Sequence, residues 1–191
     1  MNAAISLIDR HVTASLGDKR AFEFNGKPYS YHDIAALANR TGNLLKSLGI
    51  GSGARVALLL PQSPAYVATL IGAMKIGAVP VVADKPAELS GASLAVIHQK
   101  FFADAQGAVP KEKVLIVGDA PEGYASFVDG VRSQASSLEA ADLPMDAPAL
   151  MTKGRTLSHR QLEEAFNNND EIGGAGPVLR AMAGARTAVL S

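Results

Sequence analysis

Between Arg55 and Ala83 the chain spells a strand, a helix and a second strand, and this succession constrains the fold more than any other feature. RVALLL (Arg55–Leu60) is a short apolar run of the kind buried on both faces of a parallel sheet. Pro61 ends it. Ser63-Pro64 then reads as an N-cap followed by proline at the first helical position, where a missing N–H is no loss. Val67, Leu70, Ile71 and Met74 carry the helix to Gly77. AVPVVA (Ala78–Ala83) is the second strand, with Pro80 pointing to an edge position or a bulge. Strand, helix and strand within about thirty residues make a βαβ unit, which requires parallel strands and a right-handed crossover. Gly72 costs that helix about 1 kcal/mol relative to alanine, and close packing of helix on sheet is the expected reason for it.

The flanking sequence extends the same plan. Ile5, Ile8, Val12 and Leu16 fall at helical spacing and predict a short first helix ending near Gly17. AFEF and KPYSY flank Asn25-Gly26, a strong hairpin signal because both residues tolerate positive φ. Ser30 and Asp33 form a capping box, and Ile34, Leu37, Thr41, Leu44, Leu45 and Leu48 follow on one helical face, closed by Gly49. Gly51, Gly53 and their neighbours make a turn before the strand. They are no dinucleotide fingerprint, which would have to follow it.

Beyond Ala83 the pattern repeats more loosely. Ser93–His98 and Lys113–Gly118 read as strands, Gln99–Gln106 as a short helix and Tyr124–Leu138 as a longer one. Residues 139–150 turn to Ala, Asp and Pro and read as a linker. Ser158–Phe166 is a capped helix, 167–176 a polar, glycine-rich loop, and Val178–Leu190 a weakly patterned helix or strand. The predicted fold class is α/β: a parallel or mixed sheet of four to five strands flanked by helices, with a small N-terminal β-hairpin.

Composition removes several function classes. Eighteen basic residues balance eighteen acidic ones without a basic stripe, which argues against nucleic acid as a partner. No cysteine is present, so disulfides, thiolate catalysis and Cys-ligated metals are excluded. The N-terminus carries Asp9 and Arg10 and has no continuous apolar core, and no apolar run approaches membrane-spanning length. The expectation is a cytoplasmic protein without a membrane partner. His11, His32, His98 and His159 lack metal-ligand spacing, so no metal is expected.

The run DKRAFEFNGKPYSYHDIAALANRTGNLLKSLGIGSGARVALLLPQSPAYVATLIGAMKIGAVPVV resembles the opening of the adenylate-forming (acyl-CoA synthetase, AMP-dependent ligase) superfamily. NAAISLIDRHV is most similar to benzoate-CoA-ligase-type members, and the resemblance is strongest over residues 2–83. SGASLAVIHQKFF and KVLIVGDAPEGYASF extend it more weakly. The resemblance implies a parent chemistry in which ATP and Mg activate a carboxylic acid to acyl-AMP, with transfer to coenzyme A. It makes residues 1–138 an N-terminal α/β subdomain, 139–150 a linker and 151–191 a residual helical and loop tail.

That family carries a Gly/Ser/Thr-rich phosphate loop ending in Pro-Lys-Gly, followed by Ser/Thr-His. This chain reads DAPALMTKGRTLSHRQLEEAF. Lys153-Gly154 and Ser158-His159 match the tail of the motif, but only Thr152 stands for the run before the lysine. A helical segment usual in the family is also not spelled between Pro86 and Ser90. The family's ribose-binding aspartate, adenine-contacting motif, Mg-binding glutamate and C-terminal domain would follow Ser191. Successive amide donors are what hold a polyphosphate, and a lone Lys-Gly supplies too few.

Lys153 and Gly154 are therefore the cofactor-binding candidates, as a vestigial phosphate contact or else as an ordinary turn entering the Ser158 helix. Ser158-His159 reads as a helix cap rather than nucleophile and base. Asp84-Lys85 ends a strand where doubly wound sheets place ligands, but a solvated pair explains it as well. No catalytic residue is assigned and no cofactor is expected for the chain alone. The functional expectations are a catalytically inactive ligase derivative, a split-ligase half completed by a partner chain, or an interaction module that forms a homodimer. An internally deleted or incompletely recorded ligase is the fourth. The acyl substrate is left open.

Overall fold

The computed structural model describes residues 1–168, 172–173 and 175–190. The first helix, α1, begins as a π-helical turn over Ile5–Asp9 and finishes as Arg10–Thr13. β1 (Arg20–Phe24) and β2 (Lys27–Ser30) pair as an antiparallel hairpin. α2 (Tyr31–Ser47), β3 (Arg55–Leu59), α3 (Pro64–Lys75) and β4 (Val79–Val82) follow. A 3-10 turn over Pro86–Leu89 leads to β5 (Leu94–His98), α4 (Phe102–Ala105), β6 (Val114–Val117), β7 (Ala125–Ser126) and α5 (Phe127–Arg132). Then come β8 (Pro148–Thr152), β9 (Arg155–Ser158), α6 (His159–Asn168), α7 (Gly176–Ala183) and β10 (Ala188–Val189).

Seven strands form the central sheet in the order β7-β6-β5-β3-β4-β8-β9, and all neighbours but β8 and β9 run parallel. A second sheet joins β10, β1 and β2. The expected four to five strands undercount the central sheet because three strands lie in sequence read otherwise. β7 falls inside the expected helix Tyr124–Leu138, β8 begins in the stretch read as linker, and β9 lies in the stretch read as tail. Tail and linker residues thus share one sheet with the βαβ unit.

The helix expected over Tyr124–Leu138 stops at Arg132 for an identifiable reason. α2 presents three side chains that take the carbonyls a continuing helix would need. Arg40 donates to the carbonyls of Arg132 and Gln134, Asn43 to those of Ala135 (2.9 Å) and Ser137 (3.0 Å), and Asn39 to that of Ser136 (2.8 Å). Side-chain donors have replaced the helical ladder.

α2 and α3 develop as the sequence predicts. Ser30 Oγ accepts from the Asp33 amide (3.1 Å) and Asp33 accepts from the Ser30 amide (2.9 Å), a closed capping box. Ser63 caps α3 through the Tyr66 amide (3.2 Å). α3 is buried on every side because it lies between the sheet and α2. One expectation is corrected: Gly72 accommodates α2 rather than the sheet. A Cβ built there would stand 2.7 Å from the Ala38 carbonyl and 2.9 Å from the Gly42 amide. The two helices therefore touch backbone to backbone.

Two further expectations change. The apolar stripe of α1 is displaced, since the wide π turn rotates the helix face. Leu7, Ile8 and His11 are buried while Ile5 and Leu16 are 38% and 39% exposed. Pro80 sits in an interior strand, not at an edge. It is tolerated because β8 pairs with β4 only at Val81 and Val82, and the neighbouring Val79 amide bonds to the Ala54 carbonyl on the β3 side. The face expected to lack a helix near Pro86–Ser90 is covered by the 3-10 turn, whose Leu89 is fully buried with Ala57, Leu59, Ile97 and Ile116.

Gly72→Ala tests the helix contact. The extra methyl gains about 1 kcal/mol in helix propensity, but backbone atoms at under 3 Å cannot swing away, and overpacking costs typically about 1–3 kcal/mol. The variant should lower the urea midpoint, with a net loss of up to about 2 kcal/mol. A raised midpoint would show that α2 and α3 are not in close contact.

Candidate functional site

In open parallel sheets ligands lie beyond the C-terminal strand ends, where the chain reverses its direction across the sheet. That reversal falls between β3 and β5: β3 leads through α3 to β4 on one side, and β5 leads to β6 on the other. Leu60–Ser63 and His98–Gln99 flank the crevice. His98 Nδ1 accepts from the Lys100 amide (3.2 Å), and burial, aided by the Lys100 charge, lowers its pKa. Gln99 Oε1 accepts from the Asp119 amide. Gly118, at φ +101°, leaves room for that glutamine, since a Cβ there would overlap it. Sequence reading singled out none of Gln99, Gly118 or Asp119. No periodicity marks them; only the strand order places them together. Asp84 and Lys85 are exposed, and the Asp84 amide donates to Glu88 (2.8 Å) across the 3-10 turn.

Lys153 and Gly154 lie at the turn between β8 and β9. Thr152 pairs with Arg155, so the connection is only two residues long. Both have positive φ, +46° and +72°, as a type I′ turn demands. The same geometry recurs at Asn25-Gly26, with φ of +51° and +74°, where Phe24 pairs with Lys27. Lys153 and Gly154 are exposed, while Thr152 is buried beneath them. Thr152, Lys153, Arg155, Leu157, Ile172 and Gly173 border a depression of about 230 Å³. Part of the expected loop 167–176 lies outside the described residues.

Ser158 and His159 do not form a catalytic couple. Ser158 Oγ accepts from the Gln161 amide (3.2 Å), and Gln161 Oε1 accepts from the Ser158 amide (2.9 Å), which closes a second capping box. His159 points inward, fully buried, and its Nδ1 accepts from the Ala3 amide (3.1 Å). Burial, reinforced by the N-terminal ammonium, lowers its pKa. Among the described residues no three His, Asp or Glu side chains converge as metal ligands.

A wider groove of about 670 Å³ opens at the opposite end of the sheet, between Lys46, the Gly49–Gly51 turn, Ile76 and residues 138–142. It lies beside the strand starts, away from the crevice where this topology places chemistry. Behind it, Lys75 is buried and its Nζ donates to Asp9 (2.8 Å) and Asn39 (2.7 Å). This ion pair ties α1, α2 and α3 together.

A mostly parallel α/β sheet with a reversal crevice, preceded by a hairpin, defines a doubly wound α/β domain. More particularly, the chain belongs to the AMP-binding enzyme family, whose profile matches residues 8–109. The 3-hydroxybenzoate–CoA ligase of Aromatoleum sp. (strain CIB) is 42% identical over 81 residues, 42% of this chain and 16% of that enzyme. The 4-coumarate–CoA ligase 5 of Oryza sativa subsp. japonica is 31% identical over 175 residues, 82% of this chain and 32% of that enzyme. The fold matches an anthranilate CoA ligase, AuaEII, with a TM-score of 0.87 at 24% identity, covering all of this chain and 45% of that one. A benzoate CoA ligase from Burkholderia xenovorans LB400 gives 0.85 at 20% identity, again over 45% of its length. The chain thus spans under half the length of each of these four relatives.

The tight turn makes a paired prediction. Lys153→Asn should stabilise the protein by about 0.5–1 kcal/mol, since asparagine tolerates positive φ better than lysine. Gly154→Ala should destabilise it by about 1 kcal/mol or more. Thermal unfolding of both variants decides the matter: an open loop would leave both transitions where they are.

Proposed function

We propose that this chain is an acyl-CoA-ligase-like domain that does not form acyl-adenylates by itself and is retained for binding or interaction. The reading rests on the Lys153-Gly154 turn. A phosphate cradle needs a run of backbone amides turned toward one anion. In a two-residue hairpin the flanking Thr152 and Arg155 belong to the β ladder, which leaves two turn amides, fewer than the run that a triphosphate needs. Adenylate formation depends on positioning and charge stabilisation of the transferring group, and without the cradle neither is supplied.

The parent chemistry in this reading is ATP- and Mg-dependent activation of a carboxylic acid to acyl-AMP and then acyl-CoA. The benzoate-type relatives support an aromatic acid as the ancestral substrate. We place the protein in the cytoplasm, and among the described residues no helix is long and apolar enough to cross a membrane. A second reading, favoured by the 45% coverage of the ligase structures, is that another chain supplies the remaining site and restores turnover. A homodimer is the third arrangement compatible with an interaction role.

ATP–pyrophosphate exchange with benzoate, 3-hydroxybenzoate and 4-coumarate separates these. The purified chain should show no exchange above background with any of the three acids. Exchange by the chain alone would overturn the proposal, and exchange that appears only on adding a second chain would favour the split enzyme. Sedimentation of a strict monomer would remove the homodimer.

A further inference from the structure

The N-terminal segment is threaded into the interior rather than laid upon it. Asn2, Ala3, Ala4, Leu7 and Ile8 are all fully buried. Asn2 Nδ2 donates to the carbonyls of Met74 (2.7 Å) and Ala141 (3.3 Å), and its Oδ1 accepts from the Ala4 amide (3.1 Å). Between these bonds the Ala3 amide has a side-chain acceptor, Nδ1 of His159, 156 positions away in sequence. The other ring nitrogen of His159, Nε2, is buried and has no partner among the described residues.

This arrangement admits one protonation state. With Nδ1 accepting, a neutral ring carries its proton on Nε2, where no described residue receives it. A second proton would go to Nδ1, turn the acceptor into a donor facing the Ala3 N–H, and leave a charge on a fully buried ring. The surrounding charges give no relief. The Met1 ammonium, paired with Asp142 at 2.8 Å, repels the cation; Arg160 on the same helix is engaged with Asp146 at 2.9 Å. Glu163, one turn along α6, is not within ion-pair distance, and His32–Asp18 is the histidine ion pair formed among the described residues.

We propose that His159 is an acid-sensitive latch: neutral, it holds the N-terminal segment in the core through the Ala3 amide, and protonation releases that segment. The sign follows from linkage. A histidine that titrates lower when held than when free binds its proton more tightly in the released state, so the latch is fully closed above the ordinary value of 6.5 and weakens as pH falls below it. Release also withdraws Asp9 from Lys75 and removes Ile5, Asp9 and Val12 from the wall of a groove of about 430 Å³. Burial at the latch thus controls an ion pair and a surface cavity at the other end of α1. His11, further along the segment, acts in the same sense: burial and Arg10 lower its pKa overall, although the carbonyls of Met182 and Ala183 favour its protonated form.

Amide hydrogen exchange on the full chain, followed residue by residue between pH 7.5 and 5.0, tests the latch. Protection factors of Ala3 and Ala4 should fall by up to about tenfold for each pH unit below 6.5, while Ala57 and Leu58 in β3 keep theirs. In His159→Asn, whose amide oxygen occupies the position of Nδ1 and does not titrate, the dependence should shrink to the part that His11 contributes. Flat protection in the parent chain, or an unchanged fall in the variant, overturns the proposal. Should the variant not fold, the ring resonances of His159 in the parent chain decide: titration below 6.5 together with loss of Ala3 protection supports the latch, and titration at or above 6.5 sinks it.

Discussion

The pairing of β8 against β4, closed onto β9 by the Lys153-Gly154 turn, organises both the shape and the chemistry of this protein. Val81 and Val82 stand in register with Met151 and Thr152, which extends the parallel sheet beyond the βαβ unit. Two residues of positive φ then return the chain as an antiparallel neighbour. A hairpin so short is locally determined: the right-handed twist of the strands matches a type I′ turn, and each flanking amide finds a ladder partner.

Around this sheet the remaining layers are held by contacts that need no ligand. α2 and α3 approach until Gly42 and Gly72 leave no room for a side chain. Arg40, Asn39 and Asn43 pin residues 132–137 along α2, and the Lys75–Asp9–Asn39 cluster fixes α1 beneath them. A buried cation without such partners would be strongly unfavourable, so this pairing specifies where α1 docks. Tyr31 and Arg10 donate to carbonyls at the end of α7, which binds the last described helix to the first. The domain is thus closed by its own polar groups, although it spans less than half of its relatives' length.

What the sequence disclosed followed local rules. Ser30 and Asp33, Ser63-Pro64 and Asn25-Gly26 each write their structure within four residues, and each appears as read. Features decided by distant partners were not legible. The truncation of the Tyr124–Leu138 helix depends on α2 side chains some ninety positions earlier, flagged by Arg40 reaching Arg132 across 92 residues. β8 hides in an Ala- and Pro-rich stretch because a strand filled in by β4 needs little pattern of its own. The rotated face of α1 reflects a π turn that periodicity at 3.6 residues does not anticipate. Of the candidate site, Lys153-Gly154 was visible as a motif remnant, while the crevice group of His98, Gln99 and Asp119 emerges only from strand order.

The chemical consequence is specific. Under the proposed reading, a closed hairpin stands where the family carries its phosphate loop, so the scaffold is kept without the donors. Isothermal titration calorimetry of the purified chain with Mg·ATP measures this directly. The account predicts no saturable heat at millimolar nucleotide; tight, magnesium-dependent uptake with one-to-one stoichiometry would contradict it.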